Sequence, residues 1–251
     1  MSYNPYSLEG KTILITGASS GIGQATAIEC SKLGAKVIIT ARNPERLQET
    51  FVQLVGDGHK QIIADVSKEE DICSLAEQVP SLDGVVNNAG VAGTSLVTFY
   101  KKEEIESMFN TNTMAAVLIT KLLVKKKKLK NPSSIVFTSS AEGVFGCSPG
   151  NGVYGMTKAA LNAYMKTAAL ELGRKGIRCN TVNPSMVQTR MAIPTGAISA
   201  EQLEIDRKKY PLGRYGEPRE IALAIIYLLS DAAAWITGTA LKIDGGRNLV
   251  S

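Results

Sequence analysis

Seven short runs rich in β-branched residues alternate with helical apolar patterns along a chain of 251 residues, and this alternation leaves few folds open. The expected strands are Thr12–Thr16, Lys36–Ala41, Lys60–Ala64, Gly84–Asn87, Ser134–Thr138, Ile177–Val182 and Ala240–Ile243. The expected helices are Ile22–Leu33, Pro44–Leu54, Glu69–Gln78, Lys101–Lys128, Val153–Arg174 and Pro218–Ser230. Near-continuous apolar strands joined by helices imply parallel pairing, with both sheet faces covered. The pattern predicts one doubly wound, Rossmann-type α/β domain over residues 1–251, with seven parallel strands and helices on both faces. The stretch 188–215 stands apart: it follows a strand, holds Pro194, Gly196, Pro211 and Gly213, and has one short helical pattern, Ala200–Lys209. An insertion beyond a strand's carboxyl end lies over the ligand crevice of such a sheet, so this stretch is expected to be a substrate lid.

Thr16-Gly17-Ala18-Ser19-Ser20-Gly21-Ile22-Gly23 joins the first strand to the first helix. Gly17 lets the chain leave the strand with unusual dihedrals, Gly21 keeps a Cβ away from an approaching phosphate, and Gly23 lets the helix pack close to the sheet. The helix N-terminus then offers unpaired N–H groups and the positive end of its dipole to an anion. Such a turn is built for a dinucleotide pyrophosphate. An acidic residue normally ends the second strand where NAD is bound, and here Ile38-Ile39-Thr40-Ala41 runs into Arg42 instead. A guanidinium forks onto a 2′-phosphate that a carboxylate would repel, so NADP(H) is the expected cofactor, with Ser19 or Ser20 adding hydroxyl contacts.

Composition excludes other classes. The single histidine, His59, sits in a Gly56-Asp57-Gly58 turn without a serine elbow, which argues against a Ser-His-Asp hydrolase and most zinc sites, and no metal is expected. Cys30, Cys73, Cys147 and Cys179 lack ligand spacing; the first two and the last fall in regular elements and read as reduced structural thiols. No apolar stretch approaches a membrane span and no secretion signal heads the chain, so a cytoplasmic protein is expected. The formal charge of +5 is matched by residues 101–130, where eight lysines face three glutamates. Lys125-Lys126-Lys127-Lys128 reads as the solvated last turn of a helix rather than a nucleic-acid surface, since no aromatic residues interleave.

Tyr154 and Lys158, four apart at a helix head, share one face. Ser139-Ser140 close a strand, and Asn112 interrupts the long helical pattern. With these residues the chain resembles the short-chain dehydrogenase/reductase family over about residues 8–248. The matching features are the glycine turn, Asp65-Val66, Asn87-Asn88-Ala89-Gly90, Asn112, Ser140, Tyr154-x3-Lys158, Asn183-Pro184 and Ile243-Asp244-Gly245-Gly246. Within that family it is most similar to β-ketoacyl-carrier-protein reductases and their carbonyl-reductase relatives, although Pro184-Ser185 stands where Pro-Gly is usual.

The resemblance implies a catalytic set of Asn112, Ser140, Tyr154 and Lys158: Tyr154 as general acid, Ser140 on the substrate oxygen, Lys158 on the nicotinamide ribose, Asn112 anchoring a proton-supplying water. An ammonium about 4 Å from the phenol would acidify it by roughly three pKa units at an effective dielectric of about 20. The implied cofactor contacts are Gly17, Ser19, Ser20, Gly21, Ile22 and Gly23 at the turn, then Arg42, with Asp65 and Val66 at the adenine. Asn88, Ala89 and Gly90 would meet the adjacent ribose, and Tyr154, Lys158, Pro184, Val187 and Thr189 the nicotinamide end. The implied activity is NADPH-dependent reduction of a small or carrier-bound ketone. A 3-oxoacyl thioester is favoured, with a hydroxysteroid, sugar or small alcohol as the alternative. Relatives pair long helices into homotetramers or homodimers. A cofactor-sensing or scaffold protein is the alternative of another class, but it would tolerate loss of Tyr154 or Lys158, and both are present.

Overall fold

The computed structural model describes residues 3–191 and 200–249. Its strands are β1 (Thr12–Thr16), β2 (Lys36–Ala41), β3 (Lys60–Ile63), β4 (Leu82–Asn87), β5 (Leu129–Thr138), β6 (Ile177–Pro184) and β7 (Ala240–Ile243). All pair in parallel, in the order β3-β2-β1-β4-β5-β6-β7. The helices are α1 (Gly21–Lys32), α2 (Pro44–Phe51), α3 (Glu69–Gln78), α4 (Lys102–Phe109), α5 (Ala115–Lys125), α6 (Gly152–Gly173), α7 (Ala200–Arg207) and α8 (Pro218–Leu229).

Strand alternation assigns the helices to faces. Ile13 and Ile15 of β1 point to the side of α1 and α8, among Ala27, Cys30, Ile221 and Ile225. Leu14, between them, points to the other side, where Ile72 of α3, Ile119 of α5 and Met165 of α6 form the second core. Burial on both sides explains why the strands read as apolar runs rather than as alternating patterns. Strand order reverses between β1 and β4, which opens a crevice beyond their carboxyl ends.

Two expectations are corrected. The helix expected over Lys101–Lys128 is two helices, α4 and α5, joined by a π-helical turn at Asn110–Met114. Asn112, read from the sequence as interrupting the helical pattern, lies inside this turn; residue spacing marks the break but not its π-helical geometry. The lysine run is exposed at Lys125, Lys126 and Lys127, as expected, but most of it lies beyond the helix rather than in its last turn. α5 ends at Lys125; Lys126 pairs with Glu77, and Lys128 Nζ donates to the carbonyls of Glu77 and Val79 at 3.2 and 2.6 Å. These cations cap the carboxyl end of α3, where the dipole favours them. His59 likewise has structural work, its Nδ1 accepting from Val37 N at 3.1 Å while Nε2 meets Val55 O at 3.0 Å.

Of the stretch 188–215, residues 192–199 lie outside the described residues, among them Pro194 and Gly196. The rest folds back towards the crevice: Tyr210 OH bonds Ser185 Oγ at 2.9 Å, and Tyr215 stacks edge-on to Tyr210. Ser185 thus has a side-chain partner in this segment. No helix among the described residues is long and apolar enough to cross a membrane.

Candidate active site

A cleft runs across the carboxyl ends of the strands. The glycine turn lines it with the backbone conformation that the spacing predicts. Gly17 and Gly21 have φ of +65° and +57°, and a Cβ on Gly17 would come within 2.8 Å of Ala89 Cα. A Cβ on Gly23 would stand 2.4 Å from Gly17 O, so Gly23 does not line the cleft and serves close packing instead. Ser20 caps α1 without a side-chain bond, and no acidic residue occupies the first turn. The opening N–H groups of α1 therefore remain available to an anion beside Ser19, Ser20 and Thr189. Asn88 also has structural work, its amide nitrogen donating to Thr16 O and Gly17 O at 3.1 and 3.3 Å. Its side chain holds the glycine turn, and it lines the cleft alongside Ala89 and Gly90.

One end of the cleft is cationic. Arg42 follows β2 and is exposed, with Arg46 one helical turn later on the same wall. Arg46 escaped the sequence reading, although its spacing from Arg42 across the Asn43 cap was a usable signal. Asp65 and Val66 form the facing wall. Burial pushes the Asp65 carboxyl up, but bonds from the Ser67 hydroxyl and N–H, with the charges of Arg42 and Lys68, hold it below its usual range.

The other end holds the reacting groups. α6 begins just before Tyr154, and Tyr154 and Lys158 both face the cleft with Ser140, Pro184 and Val187. Ser140 Oγ accepts from Glu142 N at 3.1 Å and reaches Pro184 O at 3.4 Å. Lys158 Nζ donates to Thr138 O at 2.9 Å, a partner invisible in sequence because only a backbone carbonyl is used. Asn112 is not on the cleft wall. It is buried behind Gly90, its Oδ1 accepting from Val91 N at 2.7 Å and its Nδ2 donating to Val91 O and Thr157 Oγ1 at 2.9 and 3.1 Å.

The expected acidification of Tyr154 is not what this geometry produces. Burial raises the phenol above its ordinary value; Ser140 pulls it down and the Glu142 carboxylate pushes it up. Lys158 Nζ stands 5.7 Å from the ring centroid and is turned to Thr138. Tyr154 is therefore a neutral phenol across the physiological range. Glu142 is held by Ser148 N and Oγ at 2.6 and 3.0 Å. Glu142→Gln is expected to lower the Tyr154 titration midpoint, read from the ultraviolet difference spectrum of the ligand-free protein on alkaline titration. An unchanged midpoint refutes it.

Burial of Lys158 lowers its pKa from 10.5 to about 8. The unfolded chain then holds a proton that the native protein lacks between about pH 8 and 10.5, so stability rises with pH in that window. The buried ammonium costs the ligand-free protein about 3 kcal/mol below pH 8, and the cost disappears as it deprotonates. Relative to Lys158→Met, the wild type should gain about 2–3 kcal/mol between pH 7.5 and 10 in urea unfolding. Parallel pH dependences would contradict this.

Comparison with known proteins agrees with the architecture. A family model described as enoyl-(acyl carrier protein) reductase matches residues 17–248. The chain belongs to the short-chain dehydrogenase/reductase family. It is 34% identical over 243 residues to a 3-oxoacyl-(acyl-carrier-protein) reductase FabG of Rickettsia felis, covering 97% of this chain and 99% of that one. The corresponding protein of Vibrio cholerae is 34% identical over 247 residues, with the same coverage. A short-chain type dehydrogenase/reductase from Mycobacterium marinum superposes with a TM-score of 0.87 at 30% identity, over 97% of both chains. The family membership and near-complete coverage make this an oxidoreductase of that family with a Rossmann-like sheet.

Proposed function

We propose that the protein is an NADPH-dependent carbonyl reductase and that its substrate is a 3-oxoacyl thioester or a ketone of similar shape. The observation that carries this reading is convergence: Ser140, Tyr154 and Lys158 line the same cleft as the open N-terminus of α1. The residues fit a dinucleotide, with α1 for the pyrophosphate and Arg42 for a 2′-phosphate, backed by Ser19 and Ser20. When bound, the reduced nicotinamide supplies hydride to the substrate carbon. Tyr154 Oη donates the proton to the carbonyl oxygen, and its raised pKa keeps that proton in place at neutral pH. Ser140 Oγ holds the same oxygen as charge develops. Lys158, with one N–H on Thr138 O, has two further donors for ribose hydroxyls and for the phenolate left by proton transfer. Asn112 orders the Val91 strand exit and Thr157, whose hydroxyl donates to Tyr154 O at 2.7 Å. Two hydroxyls meeting at one oxygen favour C=O over C=C reduction, in agreement with the names of the 3-oxoacyl relatives.

In this reading the described part of 188–215 acts as a lid, with Thr189, Arg190 and Met191 on the cleft wall and Tyr210 behind Ser185. Copies of the chain assemble through faces that expose Leu170 and Trp235, so light scattering should give a mass above one 26.8 kDa chain. The deciding experiment follows NADPH absorbance with a 3-oxoacyl thioester, a ketosteroid, a keto sugar and a small ketone. Turnover of the thioester at the highest kcat/KM is expected. Tight NADPH binding with no turnover of any ketone would instead make the protein a cofactor sensor.

A further inference from the structure

The strand face turned towards α6 changes character at its carboxyl edge. Ile135 and Phe137 of β5 and Ile177 and Cys179 of β6 belong to the apolar core on that side. The next positions of the same alternation are Ser139, Thr181 and Asn183, all buried and all polar. α6 meets them with Asn162, one turn beyond Lys158 and also buried.

These side chains satisfy one another. Ser139 Oγ donates to Lys158 O at 3.0 Å, and Asn162 Nδ2 reaches the same carbonyl at 3.0 Å. Asn162 Nδ2 also donates to Ser139 Oγ at 2.5 Å and Asn183 Oδ1 at 3.0 Å. Thr181 Oγ1 donates to Asn162 Oδ1 and accepts from Asn183 Nδ2, both at 2.8 Å. In the reverse direction Lys158 Nζ donates to Thr138 O, the residue beside Ser139. Residue 158 is thus tied to the end of β5 twice, by its carbonyl and by its amine. A buried apolar set of equal volume would serve stability about as well. What the polar set adds is a single rotation and axial register for α6 at the residue whose amine faces the cleft.

We propose that Ser139 and Asn162 are positioning residues that hold Lys158 in place for the cofactor and the phenol. The proposal rests on the catalytic reading of Lys158 given above, and the test separates the two. Ser139→Ala and Asn162→Ala are compared with Ser134→Ala. Ser134 lies on the same strand, and its buried hydroxyl donates to Leu228 O at 2.8 Å, remote from Lys158. In ligand-free protein, acylation of the Lys158 amine is followed against pH by peptide mass spectrometry. The native midpoint lies near 8, because burial alone depresses it. Loosening α6 admits water, so both variants should show a midpoint higher by about one unit, with Ser134→Ala unchanged. With NADPH and the best ketone, kcat should fall about 10- to 100-fold while KM for NADPH stays within about three-fold, since most cofactor contacts lie elsewhere. Should Asn162→Ala fail to fold, Ser139→Ala decides alone. Wild-type midpoints in the variants that fold would overturn the proposal. An upward midpoint shift in a protein that turns over no ketone would sustain the positioning claim and overturn only the catalytic reading.

Discussion

Tyr154→Phe is expected to lower kcat for carbonyl reduction by about 10²–10⁴-fold, the range that a positioned general acid contributes. The substitution removes one oxygen and leaves the ring where α6 places it. The dissociation constant for NADPH, measured by fluorescence titration, should stay within about three-fold, because α1, Arg42 and Lys158 remain. The loss should appear in kcat rather than in KM for the ketone, since Ser140 still holds the carbonyl oxygen while the proton donor is gone. A kcat within ten-fold of wild type would remove Tyr154 from the chemistry and leave Ser140 or solvent as the proton source.

Arg42→Asp is expected to reverse the cofactor preference. A guanidinium on a phosphate contributes roughly 1.5–3 kcal/mol, so the wild type should prefer NADPH to NADH by about ten-fold to over a hundred-fold in dissociation constant. A carboxylate in its place repels the 2′-phosphate and can accept from the ribose hydroxyls of NADH instead. Arg46, on the same wall, retains part of the attraction, so Arg42→Ala should lose less than Arg42→Asp. Direct titration with both dinucleotides checks this without any turnover. Equal affinities in the wild type would show that Arg42 points to solvent and carries no selectivity.

The sheet was legible because its signals are local. Short β-branched runs bounded by turn residues define the seven strands, and burial on both faces makes those runs nearly continuously apolar. The glycine turn was equally legible, since a positive φ at Gly17 and the missing Cβ at Gly23 are demands that particular positions put on residue type. Residue spacing within one helix likewise placed Tyr154 beside Lys158 on the cleft wall. The interruption at Asn112 was legible, but the π-helical geometry of Asn110–Met114 and the burial of Asn112 were not, because both depend on how the flanking helices pack.

Chemical type and local spacing in the chain itself thus determined the sheet, the glycine turn and the shared face of Tyr154 and Lys158. Their protonation was decided only in three dimensions. The distance from an amine to a phenol, the carbonyl that diverts that amine and the water excluded around both depend on how α6 seats against β5 and β6. Electrostatic energy varies with separation and with the dielectric around the charges, and neither is written in the order of residues. For that reason four residues of sequence separation suggested an acidified Tyr154, whereas the packed helix leaves it a neutral phenol beside a lysine of lowered pKa.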